Sequence, residues 1–161
     1  MSHQGADPIS FESVSAVTAT PSVELGTIRH QDGERYEYVY AVKALPVGYG
    51  CVLTGTSGHS CAATGVVSGE MAFGFVKHAE ISSGSYGWVL KKGVVNLKNG
   101  RASTAPVVNE VLHLAADAAV CSDVMVATSS IDGGFVVGKV LSAGASGGTG
   151  ASLSLCYVSC F

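Results

Sequence analysis

The sequence has few charged side chains. Asp, Glu, Lys and Arg make up 13% of its 161 residues, whereas hydrophobic residues make up 47%. This charged share is roughly half of the usual one, so ions cover little of the surface. Part of that surface is therefore expected to face other protein, although a glycine-rich and alanine-rich β protein can reach the same low charge without a partner.

Long basic runs and long apolar runs are also missing. Nine Lys and Arg against twelve Asp and Glu give a formal charge of −3, and the longest basic run is Lys91–Lys92. Phosphate recognition needs a basic stripe, so no nucleic-acid partner is expected. The N-terminus has neither a basic region nor an apolar run, and no segment reaches membrane-spanning length without Gly or polar residues. We expect a soluble protein without a secretory signal.

Catalytic and metal-binding patterns are absent as well. The five cysteines are odd in number and lack metal-finger spacing, which predicts core residues made in a reducing cytosol. His59 and Cys61 lie close in sequence, but a metal site needs further ligands. No nucleophile signature surrounds a cysteine, and the glycine runs are not phosphate loops. The prediction is therefore no enzyme, no catalytic residue, no metal and no cofactor.

What the sequence does contain is strand alternation with glycine corners. In GERYEYVYAVKAL, residues 35, 37, 39, 41 and 43 fall on one side and residues 36, 38, 40, 42 and 44 on the other, which is typical of a strand. The preceding QDG predicts a tight turn at Gly33. Turn signals recur every eight to twelve residues, supplied by 21 glycines. This pattern predicts an all-β fold, a compact glycine-cornered barrel or sandwich with at most one short helix.

Two boundaries follow from the same pattern. Residues 1–24 are rich in Ser, Thr and Ala and predict an extended or flexible N-terminal arm, either disordered or ordered on a neighbouring subunit. Residues 25–161 predict a single β domain. Within it, residues 109–120 fit either a helix capped by Asn109 or a strand EVLHL, with the strand favoured by its neighbours. The alternating tail SLSLCYVSCF predicts a strand inside the sheet, with Cys156 and Cys160 on one face.

The only tryptophan lies in SSGSYGWVLKKGVV. Gly84 predicts a turn, and Tyr86, Trp88 and Leu90 share one strand face. We expect LKKG to end this strand and VVNL to begin its return in a hairpin, with the lysines solubilising the strand end. Trp88 is expected to fill the core. The residues that we consider for interactions are Phe11, Tyr49, Tyr86, Trp88, Lys91 and Lys92.

Three motifs carry a resemblance to a known family. They are the opening LGT...DG..Y.YV.A, the centre GFV..A.I..G.YGWV...G and the late VG.V, and together they span roughly Leu25 to Phe161. In this order they resemble the small decoration (capsid cement) proteins of tailed bacteriophages, which often carry a β-tulip type of domain. Residues 1–24 match nothing in that family.

The resemblance implies a structural virion protein. It implies a homotrimer on the outer surface of the capsid, bound to the major capsid protein, that stabilises the mature shell and is synthesised in the cytoplasm of the host bacterium. A different expectation from the residues is a virion-displayed or tail-associated module that binds a host glycan or receptor. Exposed aromatic residues such as Tyr49, or Tyr86 and Trp88 if they face solvent, would be its platform.

Overall fold

The computed structural model describes residues 12–54, 58–63, 72–98, 107–113, 124–125, 136–142, 144 and 153–160. Within these ranges the chain forms strands and no helix. In chain order the strands are β1 (Ile28–Gln31), β2 (Glu34–Ala41), β3 (Gly50–Leu53), β4 (Ser60–Ala63), β5 (Gly74–Phe75), β6 (Tyr86–Lys98), β7 (Val111–His113), β8 (Val124–Met125), β9 (Val136–Ser142) and β10 (Leu153–Ser159). The prediction of an all-β fold is confirmed.

The strands form one sheet that closes on itself over part of its width. The hydrogen-bonded order is β1-β2-β4-β3-β5-β6-β10-β9-β7-β8, and β2 also pairs with β6. This additional pairing closes a five-stranded barrel from β2, β4, β3, β5 and β6. The strands β10, β9, β7 and β8 continue the sheet outward from β6, so the predicted barrel is present with an open extension.

The first hairpin has the turn that its sequence predicts. Gln31 pairs with Glu34 across a two-residue loop. Both loop residues have positive φ, 53° at Asp32 and 77° at Gly33. Positive φ at both positions matches the twist of the flanking strands, and Asp-Gly is a sequence that tolerates it. The turn therefore fixes the register of β1 on β2.

The barrel interior is filled by small side chains from alternate positions of its strands. Val39 and Ala41 of β2, Cys51 of β3, Cys61 of β4 and Val89 of β6 belong to one buried cluster. The other positions, including Tyr36, Tyr38, Phe75, Trp88 and Leu90, belong to a second cluster outside the barrel wall. The alternation predicted for β2 is thus confirmed, with both of its faces buried.

The predicted hairpin after Trp88 is wrong. β6 is one continuous strand of 13 residues that runs through Lys91, Lys92 and Gly93. Its first half pairs with β2 and its second half with β10. Arg35 lies opposite Lys92 and Tyr36 opposite Leu90, so Lys91 is the extra residue of a β-bulge. Gly93 has a φ of 147°. A Cβ at this position would clash with the side chain of Glu34. The glycine therefore bends the strand rather than reversing it.

The C-terminal half follows the strand predictions where it is described. Residues 111–113 form β7, as favoured for EVLHL, and Asn109 has a φ of 72°, which is not a helical conformation. β10 lies inside the sheet between β6 and β9. Its exposed and buried residues alternate, with Cys156 and Cys160 both buried. Residues 114–120, Cys121 and Phe161 lie outside the described residues.

Residues 12–24 lie against the barrel of their own chain. Val14 is 4% exposed and belongs to the outer cluster, against which Val23 also packs. Thr18 pairs with Tyr86, and the Ser22 backbone N–H donates to Tyr38 Oη at 3.2 Å. This segment covers the outer wall of β2 and β6. The domain division at residue 24 stays a prediction.

Candidate functional site

A buried ion pair lies at one end of the barrel interior. Lys91 is 1% exposed, and its Nζ lies 3.7 Å from Oε2 of Glu37 on the neighbouring strand. The same ammonium lies 3.5 Å from the centroid of the Phe73 ring, a cation–π contact. The other carboxylate oxygen of Glu37 is 2.9 Å from Nδ1 of His59. Each charged group inside the barrel thus has a partner.

Strand alternation explains how a lysine becomes buried there. The expectation that Lys91 solubilises a strand end is wrong, because Lys91 lies two residues after Val89 on the barrel side of β6, whereas Lys92 is exposed. His59 reaches Glu37 from the barrel mouth, where Gly26 leaves room for its ring. A Cβ on Gly26 would be 2.5 Å from Cε1 of His59. The Lys91–Glu37 pair is therefore buried, whereas the His59 side chain stays 40% exposed at the end of the barrel.

Two cysteines, Cys51 and Cys61, lie in the same barrel interior as this ion pair. Cys51 and Cys61 are both fully buried, and Cys51 Sγ donates to the Gly74 carbonyl at 3.4 Å. A hydrogen bond with Cys61 and burial together raise the pKa of Cys51 well above its ordinary value. A thiol with a raised pKa carries little thiolate at neutral pH, so Cys51 is a poor nucleophile.

A second polar network lies outside the barrel at the edge of β2. Lys77 Nζ donates to both oxygens of Glu34, at 2.7 and 2.5 Å, and the Val94 N–H donates to Oε1 at 3.0 Å. Burial alone would raise the pKa of Glu34, but these bonds and one from Tyr36 lower it. Tyr36 Oη also lies 2.9 Å from Nε2 of His78, whose pKa burial lowers. The network ties β2 to β6 beside Gly93.

The aromatic residues near Trp88 form a packed group. The ring of Tyr38 lies 5.0 Å from that of Trp88 and 6.2 Å from that of Tyr86. Trp88 is 4% exposed, so it fills the core as predicted, and its Nε1 has no hydrogen-bond partner. Tyr86 is half-buried under the Thr18 segment. Neither ring forms an exposed platform.

Three of the residues considered for interactions remain: Lys92, Tyr49 and Phe11. Lys92 is exposed, and Tyr49 is half-buried with its ring 5.0 Å from the ammonium of Lys98. Both residues lie near the open part of the sheet, away from Trp88. Phe11 lies outside the described residues. Their role in interactions stays a prediction.

The open part of the sheet has an exposed face that the sequence analysis missed. Beyond the bulge, one sheet face is formed by alternate residues of β6 and their partners in β10. The pairs are Lys92 with Ser159, Val94 with Tyr157, Asn96 with Leu155, and Lys98 with Leu153. Leu153 is 50% exposed and Leu155 is 37% exposed, and both belong to this face. Leu155 could have been assigned from the tail alternation, but only the pairing with β6 shows that Lys92 and Lys98 share its face. We call this surface the β6–β10–β9 face.

The described residues were also compared with the requirements of a metal site and of a membrane-spanning helix. In the ranges given above, no three His, Cys, Asp or Glu side chains are grouped so that they could hold a metal ion. The same part of the chain holds no helix of the length and apolarity that crossing a membrane requires.

The chain was compared with protein families, curated proteins and solved structures. No protein-family model matches the chain, and no curated protein matches it. The fold is similar to the N base of the head fiber protein gp8.5 of bacteriophage phi29, with a TM-score of 0.43 and 12% sequence identity. The similarity covers 77% of this chain and 92% of that one. At this score and identity no function is transferred from that protein.

Proposed function

We propose that this chain is a non-enzymatic structural protein of a bacteriophage virion. It binds the outer surface of the capsid as a homotrimer, contacts the major capsid protein and stabilises the mature shell, as a decoration protein does. The stabilisation is by linkage, because a protein that binds only the mature lattice lowers the free energy of that lattice. Many identical copies on one shell multiply the effect.

The observation that carries the proposal is the exposed apolar surface of a chain with few charges. Leu153 and Leu155 project from the β6–β10–β9 face, and Val107 and Val108 are 60% and 48% exposed. Clustered exposed hydrophobic residues are typical of protein–protein interfaces. The resemblance of residues 25–161 to decoration proteins supports a capsid as the partner. The paired charges in the barrel support a scaffold rather than a reactive centre.

The glycan or receptor alternative loses Trp88 as a platform residue. A sugar platform needs an exposed aromatic ring, whereas Trp88 is 4% exposed beneath its neighbours. Tyr49 is half-buried beside Lys98. We therefore retain the structural role as the proposal.

The experiment is a binding assay with capsids that lack this protein. Purified protein should co-sediment with expanded capsids, saturate at a fixed number of copies, and raise the temperature at which the shells release DNA. Light scattering should give the mass of a trimer for the full chain. A monomer that leaves capsid stability unchanged would contradict the proposal.

A further inference from the structure

The β6–β10–β9 face has an apolar centre with a lysine at three of its corners. Across the ladder, Lys92 pairs with Ser159, Val94 with Tyr157, Asn96 with Leu155, and Lys98 with Leu153. On the far side of β10, Lys139 pairs with Tyr157 and Ser142 with Leu155. The centre is therefore formed by the apolar residues Val94, Leu155 and Tyr157 with the polar Asn96 beside them, and the lysines 92, 98 and 139 surround it. An apolar core with a polar rim is the usual anatomy of a protein interface.

The charge on this face is one-sided. None of the described residues at its ladder positions is Asp or Glu. Glu34 reaches the Val94 backbone, but its side chain lies on the Gly93 side and is paired with Lys77. Three lysines and no acidic residue thus occupy the described ladder positions of this face, which makes it cationic.

We infer that the β6–β10–β9 face is the surface that docks on an acidic, partly apolar protein surface, which under the proposed function is the outside of the capsid. The inference rests on that function. A second copy of this chain meeting the same face across a two-fold axis would bring lysines against lysines, which charge complementarity disfavours. Nucleic acid is disfavoured because the lysines are spread around leucines instead of forming a stripe.

The area of the face indicates how strongly one protomer can bind. Lys98 lies six positions after Lys92, about 20 Å at the usual strand rise, and three strands span about 10 Å. The face then covers roughly 200–300 Å², well below the ~800 Å² that each partner of a stable complex buries. One protomer alone is expected to bind weakly. Three linked faces would bind with much higher avidity, which makes the trimer a requirement of this docking mode.

The test compares charge reversals that are matched in net charge. Lys92→Glu and Lys139→Glu lie on the face, whereas Lys43→Glu alters an exposed lysine beyond the end of β2. Each is measured in the full chain by co-sedimentation with capsids that lack the protein, at low and at physiological salt. We expect each face variant to weaken binding about five-fold, mainly through slower association, and Lys43→Glu to bind like wild type. Leu155→Ser tests the apolar centre and should weaken binding about ten-fold.

The outcomes separate the inference from the proposed function. If wild type binds capsids and the three face variants bind equally well, the docking face is wrong and the function stands. If wild type fails to bind capsids, the function itself fails. Loss of the trimer in the face variants would assign the surface to contacts between copies instead. Binding of wild type to a DNA duplex or to anionic vesicles, abolished by Lys92→Glu, would also overturn the inference.

Discussion

Lys91 of β6 and Glu37 of β2 form an ion pair inside a five-stranded barrel, with Nζ 3.7 Å from Oε2. Both residues reach the barrel side by strand alternation, since Glu37 lies two residues before Val39 and Lys91 two residues after Val89. Removing one partner leaves the other charge buried. We expect Lys91→Met or Glu37→Gln to lower the free energy of unfolding by about 3–5 kcal/mol.

The double variant Lys91→Met/Glu37→Gln distinguishes pairing from packing. It removes both charges while keeping an amide near His59. Its loss in the free energy of unfolding should therefore be smaller than the sum of the two single losses by about 1 kcal/mol or more. Urea unfolding of the four proteins measures this coupling. Additive losses would show that the two side chains stabilise the barrel independently.

The polar atoms of Tyr38 and Trp88 differ in hydrogen bonding, so we expect their removal to change the free energy of unfolding differently. Tyr38 Oη contacts Thr18 Oγ1 at 3.1 Å and Ser22 Oγ at 3.0 Å, whereas Trp88 Nε1 is buried without a partner. Tyr38→Phe should therefore cost about 1–2 kcal/mol, because Thr18 and Ser22 lose their partner. Trp88→Phe removes an unsatisfied N–H, which offsets part of the lost packing.

Two controls accompany the aromatic series. Trp88→Ala removes the ring and should cost about 3–5 kcal/mol in thermal or urea unfolding. The fluorescence of wild type should be blue-shifted and resistant to acrylamide. Strong quenching in the folded protein would contradict the burial of Trp88.

Gly87 is required by the narrow barrel interior. A Cβ at this position would lie 2.8 Å from Cδ1 and 2.9 Å from Cγ1 of Ile81. Gly87→Ala should destabilise the fold by about 1–3 kcal/mol through overpacking. Ile81→Ala should cost about 2–5 kcal/mol alone, but in combination with Gly87→Ala the total should be clearly less than additive. Additive effects in urea unfolding would show that the two side chains do not compete for the same space.

Local patterns predicted much of this fold. The Asp32–Gly33 turn, the alternation of β2 and the strand character of β10 follow from short stretches of sequence, since period two and turn chemistry are local properties. The course of β6 does not. KKG is compatible with both a turn and a bulge, and the choice is made by β2 and β10, which pair with different halves of the strand. Barrel closure likewise depends on long-range pairing, which alternation cannot reveal.

The candidate sites were predictable to a smaller extent. Trp88 was expected in the core because a lone tryptophan on a strand usually fills it. Lys91 was misassigned because lysine is almost never fully buried, and its partner Glu37 is 54 positions away along the chain. The β6–β10–β9 face was missed for a related reason. Alternation assigns Leu155 to a face of its own strand, but only strand order places the lysines of β6 and β9 beside it.

The buried thiols of β10 predict a loss of stability at alkaline pH. Burial raises the pKa of Cys156 from 9.0 to about 12, and it raises that of Cys160 to about 12 despite the opposing charge of Lys91. Above pH 9 the unfolded chain therefore holds fewer protons than the folded one, so stability falls as pH rises, until the folded thiols also ionise near pH 12. Below pH 8 the full contribution is present. Each thiol contributes up to about 1.4 kcal/mol per pH unit.

Urea midpoints at pH 7.5, 9 and 10 measure this slope. Cys156→Ala/Cys160→Ala removes both thiols, so its stability should fall less steeply with pH than that of wild type, whereas groups that titrate in both proteins cancel in the difference. The folded protein should also resist iodoacetamide at Cys156 and Cys160 at pH 9, because burial both excludes the reagent and keeps the thiols protonated. Equal slopes in the two proteins, or rapid alkylation of either thiol before unfolding, would contradict the raised pKa values.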